Sequence, residues 1–260
     1  MILDRIVVAT KIRVEKVKEK ISLQQMMTLA KKSNTPFAFE KALRQKDVSF
    51  ICEVKKASPS KGIITDDFPY IQIAKEYESA GAAAISVLTE PDFFMGKTDY
   101  LKSIKQNVTI PVLQKDFIID EYQIYEASSI GADAVLLICS VLSKNKVIKF
   151  IEIADGLGLS CLVETHDEQE IITAINAGAR IIGVNNRNLK TFDVDLNNSV
   201  RLRKFVPQNI IFVSESGIKT AEDVKRLHEN GTDAVLIGET LMKSKNKKGV
   251  LSNLRGEHNG

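Results

Sequence analysis

Five short apolar runs in this sequence finish on polar or charged residues. They are Phe50–Lys55, ending Glu53-Val-Lys55; Pro111–Lys115, ending Leu113-Gln-Lys115; and Leu159–Glu164, ending Leu162-Val-Glu164. A fourth ends Gly183-Val-Asn185, and Asn209–Ser214 leads into Glu215-Ser-Gly. Side chains on an extended strand alternate between its two faces. Ile51, Glu53 and Lys55 therefore share one face, with Cys52 and Val54 on the other. By the same alternation Leu113 pairs with Lys115 and opposes Gln114, Leu162 pairs with Glu164, Gly183 pairs with Asn185, and Glu215 falls at a rim. One charged residue at a strand end is ordinarily solvated or ion-paired. Two lysines, up to three carboxylates and an amide recurring in phase at five ends are a different matter. Converging in a partly dry cavity, they would perturb one another's protonation, as general acid–base chemistry requires.

A second group of residues has the makings of an anion cradle. Ser216-Gly217 and Gly238-Glu239-Thr240 each follow an apolar run and precede a predicted helix. Glycine allows a ligand to approach the backbone closely, and amides at a helix start favour an anion. A Glu239 side chain turned inward would repel such a ligand, so only its amide is expected to take part. Glycines of this kind also mark ordinary turns.

The elements that must hold these residues are legible from a recurring phrase in which a helix ends at glycine and an apolar strand follows. It occurs at Gly81, Gly131, Gly178 and Gly231, about two strand–helix units apart each time. Interleaving these with the other apolar runs gives eight strands starting near residues 50, 83, 111, 133, 159, 180, 209 and 233. Helical patterns fill most of the gaps, as in Glu168–Ala177 and Ala221–Asn230. Strands alternating with helices pair in parallel, and eight such units can close into a (β/α)8 barrel, the TIM-barrel fold. An open doubly wound sheet is the alternative. Active sites of the closed form lie at the C-terminal ends of the strands, where the charged residues fall, and phosphates recur after strands seven and eight.

Residues 1–47 stand outside the repeat as an N-terminal helical extension, and the whole chain, 1–260, reads as a single domain. Leu3, Val7, Thr10, Val14, Val17 and Ile21 form one stripe of an amphipathic helix, and a shorter helix is expected from Phe37 to Arg44. These helices are expected to cover one end of the barrel, a dimerisation helix being the alternative. The stretch from Lys56 to Tyr70, with Pro59 and Gly62, reads either as a mobile lid or as an ordered cap. The last five residues read as a frayed end.

Composition narrows the function classes. The 260 residues are 44% hydrophobic and 27% charged with a net charge of +3, an ordinary globular balance. The basic run Lys243, Lys245, Lys247 and Lys248 reads as a solvated face rather than a nucleic-acid surface. Cys52, Cys139 and Cys161 lack metal-binding or redox spacing and are expected to be free, buried thiols. His166, His228 and His258 form no ligand set with acids or cysteines, so no metal and no cofactor are expected. No signal peptide and no membrane-spanning stretch are apparent. The expected partner is a small phosphorylated molecule, with no nucleic acid and no membrane, and the expected form is a cytoplasmic monomer.

The segments Glu53-VKKASPSKG, Leu88-TEPDFFMG, Gln114-KDF, Leu162-VETH, Gly183-VNNRNL, Ser214-ESGI and Ile237-GETLM resemble, in order, the motifs of the indole-3-glycerol-phosphate synthase family. The resemblance spans almost the whole chain, N-terminal helices included. It implies ring closure, decarboxylation and dehydration of 1-(2-carboxyphenylamino)-1-deoxyribulose 5-phosphate to indole-3-glycerol phosphate, a step of tryptophan biosynthesis. It makes Lys115 the acid that protonates the keto oxygen, and Glu164 the residue assisting later proton removal and dehydration. Lys55 would hold the substrate carboxylate, with Glu53 and Asn185 orienting these groups. Ser58 and Arg187 match positions near the substrate's anionic groups. Glu215 lies on the strand-seven motif, and the amides of Ser216, Gly217, Gly238 and Glu239 resemble the phosphate cradle. Gln114 and Thr165 depart from the family's usual residues, and Gln114 should point away from the mouth. An isomerase of phosphoribosylated intermediates, or a barrel that binds without turnover, would share the fold but not need Glu53, Lys55, Lys115 and Glu164 together.

Overall fold

The computed structural model describes residues 2–189 and 191–257. Of the five final residues expected to fray, Gly256 and Glu257 are hydrogen-bonded through their amides to Asn253 and Ser252, and the last three, from His258, lie outside the described residues. Eight parallel strands run in chain order: β1 Ser49–Val54, β2 Ala84–Leu88, β3 Val112–Lys115, β4 Ala134–Ile138, β5 Ser160–Thr165, β6 Ile181–Asn185, β7 Ile211–Glu215 and β8 Ala234–Ile237. They close a barrel, because β1 pairs with β2 through Ile51 and Ala84 and with β8 through Ser49 and Ala234. That last pairing rules out the open sheet. Strand starts differ from the expected ones by about one or two residues, the usual latitude at element ends. The recurring glycines take the backbone into the left-handed region before the next strand, with φ of 81° at Gly81 and 90° at Gly131.

Strands buried on both faces need two apolar sets, and the alternation supplies them. Ile51, Ala84, Leu113, Ala134, Leu162, Ile181, Ile211 and Ala234 fill the barrel interior. Cys52, Val54, Ile85, Val87, Val135 and Val163 face the surrounding helices. The phase read from the sequence is therefore correct, with Cys52 and Gln114 outward. The Gln114 side chain donates to Thr89 Oγ1 at 3.1 Å. All three thiols are free; Cys52 and Cys161 are buried, and half-buried Cys139 is pushed up to about 12, chiefly by burial.

The N-terminal extension divides between the two ends of the barrel instead of covering one. Helix α1 is Ile2–Lys20, α2 is Leu23–Leu29 and α3 is Ala38–Leu43. Phe39 and Leu43 of α3 are fully buried in the same apolar cluster as Ala134, Ile181, Ile211 and Ala234, and α3 packs on β2 and β5, closing the N-terminal end. Helix α1 instead reaches the opposite mouth, where Ile2, Leu3 and Ile6 line the cavity. Of the expected stripe, Thr10 and Val14 are buried and Ile21 lies beyond the helix, while Ile6, off the stripe, is also buried. The short α2 was not expected, although Ser22 and Gln25 form its reciprocal cap. Between Lys56 and Tyr70 a small antiparallel ribbon pairs Ala57–Ser58 with Gly62–Ile63. Among the described residues no helix is long and apolar enough to cross a membrane.

Candidate active site

The C-terminal mouth of the barrel encloses a cavity of about 730 Å³. Its walls include every candidate named from the sequence: Glu53, Lys55, Ser58, Lys115, Glu164, Asn185, Arg187, Glu215, Ser216, Gly217, Gly238 and Glu239. Lys115, at the end of β3, lies between two buried carboxylates, 3.0 Å from Glu164 Oε2 and 2.8 Å from Glu215 Oε2. Burial alone would lower its pKa. The charges of Glu164, Glu215 and Glu53 outweigh burial and raise it above the ordinary lysine value, so Lys115 is held as an ammonium.

The two carboxylates diverge. Burial pushes Glu215 up to about 7 despite Lys115, and its Oε1 has no hydrogen-bond partner among the described residues. Burial opposes ionisation of Glu164 as well, but Lys115, His166 and a hydrogen bond from Asn185 hold it below the usual carboxylate range. Glu164 is thus the carboxylate available as a base, while Glu215 can carry a proton near neutrality. Nor does Glu215 sit at the rim, as the sequence suggested. It is 2% exposed, and it fits there because residue 183 is glycine: a Cβ at Gly183 would overlap Glu215 Oε1.

Across the mouth Lys55 is hydrogen-bonded to Glu53. A Cβ at Gly238 would overlap the Glu53 carboxylate and lie 3.1 Å from Lys55 Nζ. Any side chain at 238 therefore disturbs this pair as well as whatever lies above the turn. The neighbouring Asn185 side chain accepts at Oδ1 from the Arg187 amide at 3.0 Å, and Arg187 Nη1 donates to the Phe192 backbone carbonyl at 3.2 Å.

The two glycine turns differ. After β7, Ser216 and Gly217 both take positive φ, 68° and 89°. For a serine this costs roughly 1–2 kcal/mol, and buried Asn186 braces the turn by donating to the Ser216 carbonyl at 3.0 Å. This turn does not open directly onto a helix. The helix Ala221–Glu229 begins later, with Thr220 and Asp223 capping each other, so its first amides are already partly satisfied. After β8, Gly238 is itself the cap of the short helix Glu239–Met242 and contributes no side-chain hydrogen bond to it. Glu239 accepts from Lys243 Nζ at 2.6 Å, so its carboxylate has a partner of its own.

Several cavity residues went unnoticed in the sequence. Phe94 and Phe117, with ring centroids 5.9 Å apart, form an apolar wall. Lys61, Lys219 and Lys243 stand around the glycine turns. Lys243 belonged to the run read as a merely solvated face, and Lys247 of that run pairs with Glu76 at 3.4 Å. His166 Nε2 lies 3.5 Å from Glu164 Oε1, while its Nδ1 is 3.1 Å from Glu170 Oε2. Among the described residues no group of three or more His, Cys, Asp or Glu side chains is arranged to hold a metal ion.

Solved structures of similar shape include 3-hexulose-6-phosphate synthase from Salmonella typhimurium, with a TM-score of 0.66 at 16% identity, covering 81% of this chain and 100% of that one. Thiamine phosphate pyrophosphorylase from Pyrococcus furiosus gives 0.61 at 18% identity, covering 82% and 96%. At such identities the likeness concerns the fold alone. Sequence relatives are far closer. An indole-3-glycerol phosphate synthase of Ruminiclostridium cellulolyticum is 61% identical over 258 residues, covering 98% of this chain and 99% of the relative. That of Endomicrobium trichonymphae is 61% identical over 248 residues, covering 95% and 96%. The family described as indole-3-glycerol phosphate synthase matches residues 3–254, and with the barrel and its charged mouth in place the chain belongs to that family.

Proposed function

We propose that this mouth closes the indole ring, converting 1-(2-carboxyphenylamino)-1-deoxyribulose 5-phosphate to indole-3-glycerol phosphate with loss of carbon dioxide and water. The observation that carries the reading is the partly buried Lys115 ammonium held between the buried carboxylates of Glu164 and Glu215. As the aromatic carbon attacks the ketone, the ketone oxygen becomes a far stronger base than either carboxylate. It can therefore take a proton even from a lysine whose pKa is raised. The attacking carbon then sheds its carboxylate as carbon dioxide, the electron pair of the broken bond restoring the aromatic ring. Glu164, kept ionised, assists removal of a proton from the former methylene carbon beside the nitrogen as the hydroxyl departs as water. Lys55 holds the aromatic carboxylate, with Glu53 and Asn185 orienting Lys55 and Glu164. Ser58 and Arg187 contact the anionic groups, and Phe94 and Phe117 take the aromatic ring. The phosphate rests on the amides of Ser216, Gly217, Gly238 and Glu239. The chain works as one domain, a cytoplasmic monomer without cofactor.

The test is incubation with that substrate in excess chelator while following indole emission, against a chain with five tyrosines and no tryptophan. Turnover is expected to be unaffected by the chelator; a rate abolished by chelation and restored by a divalent ion would overturn the mechanism.

The phosphate site has its own test. A ligand binding only the folded state at about 100 times its dissociation constant adds about 2.7 kcal/mol. At about 2–4 °C per kcal/mol, the product should raise the unfolding midpoint by about 5–10 °C. Its dephosphorylated analogue at equal concentration should raise it far less, and equal shifts would place the phosphate elsewhere.

A further inference from the structure

Lys115 is flanked in sequence by two outward residues, Gln114 and Asp116, and both are tied to one hydroxyl. Gln114 donates to Thr89 Oγ1, and Thr89 Oγ1 in turn donates to Asp116 Oδ2 at 2.6 Å. The Thr89 amide also donates to the Lys115 carbonyl at 3.2 Å. Asp116 is 4% exposed, and its other oxygen accepts from the Phe117 amide at 2.8 Å and from Arg13 Nη2 at 2.7 Å. Arg13 comes from α1, outside the barrel. Its Nη1 lies 3.7 Å from Glu90 Oε1, and Glu90 is fully buried. Glu90 accepts from the amides of Asp92, Phe93 and Phe94, so it fixes the short helix that carries Phe94 to the cavity wall. One guanidinium thus lies against two buried carboxylates, one next to Lys115 and Phe117, the other beneath Phe94.

We propose that Arg13 is a positioning residue for the ring-closing reaction, holding the end of β3 and the loop after β2 in the register that aims Lys115 and the Phe94–Phe117 wall at the substrate. This rests on the reading of Lys115 as the proton donor. Without Arg13, Asp116 and Glu90 face each other with no cation between them, and the Asp116 side chain loses the contact that sets it beside the strand end. The planar fork of arginine suits a span between two carboxylates, which a lysine ammonium reaches only singly. Helix α1 has a second tether that makes a natural control: Lys18 bonds Asp120 Oδ2 at 2.7 Å, holding the same helix without touching the end of β3.

The experiment compares steady-state kinetics and unfolding midpoints of Arg13→Met, Arg13→Lys, Lys18→Met and Lys115→Met with the parent chain. Small displacements of reacting groups cost up to about 100-fold, so Arg13→Met is expected to lose about 10–100-fold in kcat with a smaller change in KM, while Lys18→Met stays within about twofold. Arg13→Lys keeps a cation opposite Asp116 and should recover part of the lost kcat. The unfolding midpoint should fall further in Arg13→Met, which leaves two buried carboxylates without their cation, than in Lys18→Met, whose partner Asp120 is partly exposed. Equal kcat losses in those two variants would reduce Arg13 to a tether for α1 and overturn the proposal. So would a loss confined to KM, or wild-type kcat in Arg13→Met beside an inactive Lys115→Met, which leaves the donor assignment standing. An active Lys115→Met would overturn both.

Discussion

Replacing Lys115 by methionine should lower turnover about 10²–10⁴-fold, the range that a positioned proton donor contributes. The same change tests the electrostatics of the mouth. Lys115 bonds two buried carboxylates, and removing one partner of a buried ion pair costs roughly 3–5 kcal/mol when the other is left charged. Here Glu215 is already raised to about 7 and takes up a proton readily, which relieves part of that cost. Without the ammonium, Glu164 loses the main charge that holds it below the usual carboxylate range and its folded pKa rises, while that of Glu215, already raised by burial, climbs further above its unfolded value. Stability from such raised groups is present at low pH and lost as pH climbs through the folded values. The deficit in unfolding midpoint relative to the parent should therefore widen from about pH 6 to pH 8. A variant with parental turnover would make Lys55 the leading donor. A deficit that shrinks with rising pH would mean that Lys115 does not neutralise these carboxylates.

Glu164→Gln should also cost about 10²–10⁴-fold in overall rate, but at a different step. The amide keeps the shape and can still accept from Lys115, which lies 3.0 Å from Glu164 Oε2, while the charge disappears. Lys115 then has one carboxylate fewer holding its proton, so protonation of the ketone oxygen is not impeded. What fails is the later proton removal. In a single turnover the substrate should disappear well before indole emission grows, with a non-indole intermediate between them. Substrate loss and emission slowed equally, with no lag, would show that Glu164 does not act in a separate later step.

The inward phase of Glu53, Lys55, Lys115 and Glu164 was readable because a strand alternates strictly and because Cys52, Val54 and Gln114 could not plausibly share the charged face. The depth of Glu215 was not. It depends on the missing side chain of Gly183 on the neighbouring strand, a relation between two positions that no pattern within one strand reveals. Arg13 left no signal either, since Asp116 stands 103 residues away in sequence. Helix α2 has too few turns to show a period, and only its capping pair, Ser22 and Gln25, marked it. The division of the extension between both ends of the barrel has the same origin. A stripe shows that a helix is buried on one side, but not against what.

The pairing of β1 with β8 also bears on how the chain is made. Synthesis proceeds from the N-terminus, and Ala234–Ile237 is the last of the eight strands to emerge. Until it does, β1 lacks its partner across Ser49–Cys52 and β7 lacks its partner across Val213–Glu215. A nascent chain carrying seven strands therefore displays two unpaired edges of strongly apolar sequence, the kind of surface that templates pairing between molecules. A chain released before Ala234 is added would be a sticky product, whereas the finished ring leaves neither β1 nor β7 without a neighbour. The hazard is confined to a window of translation.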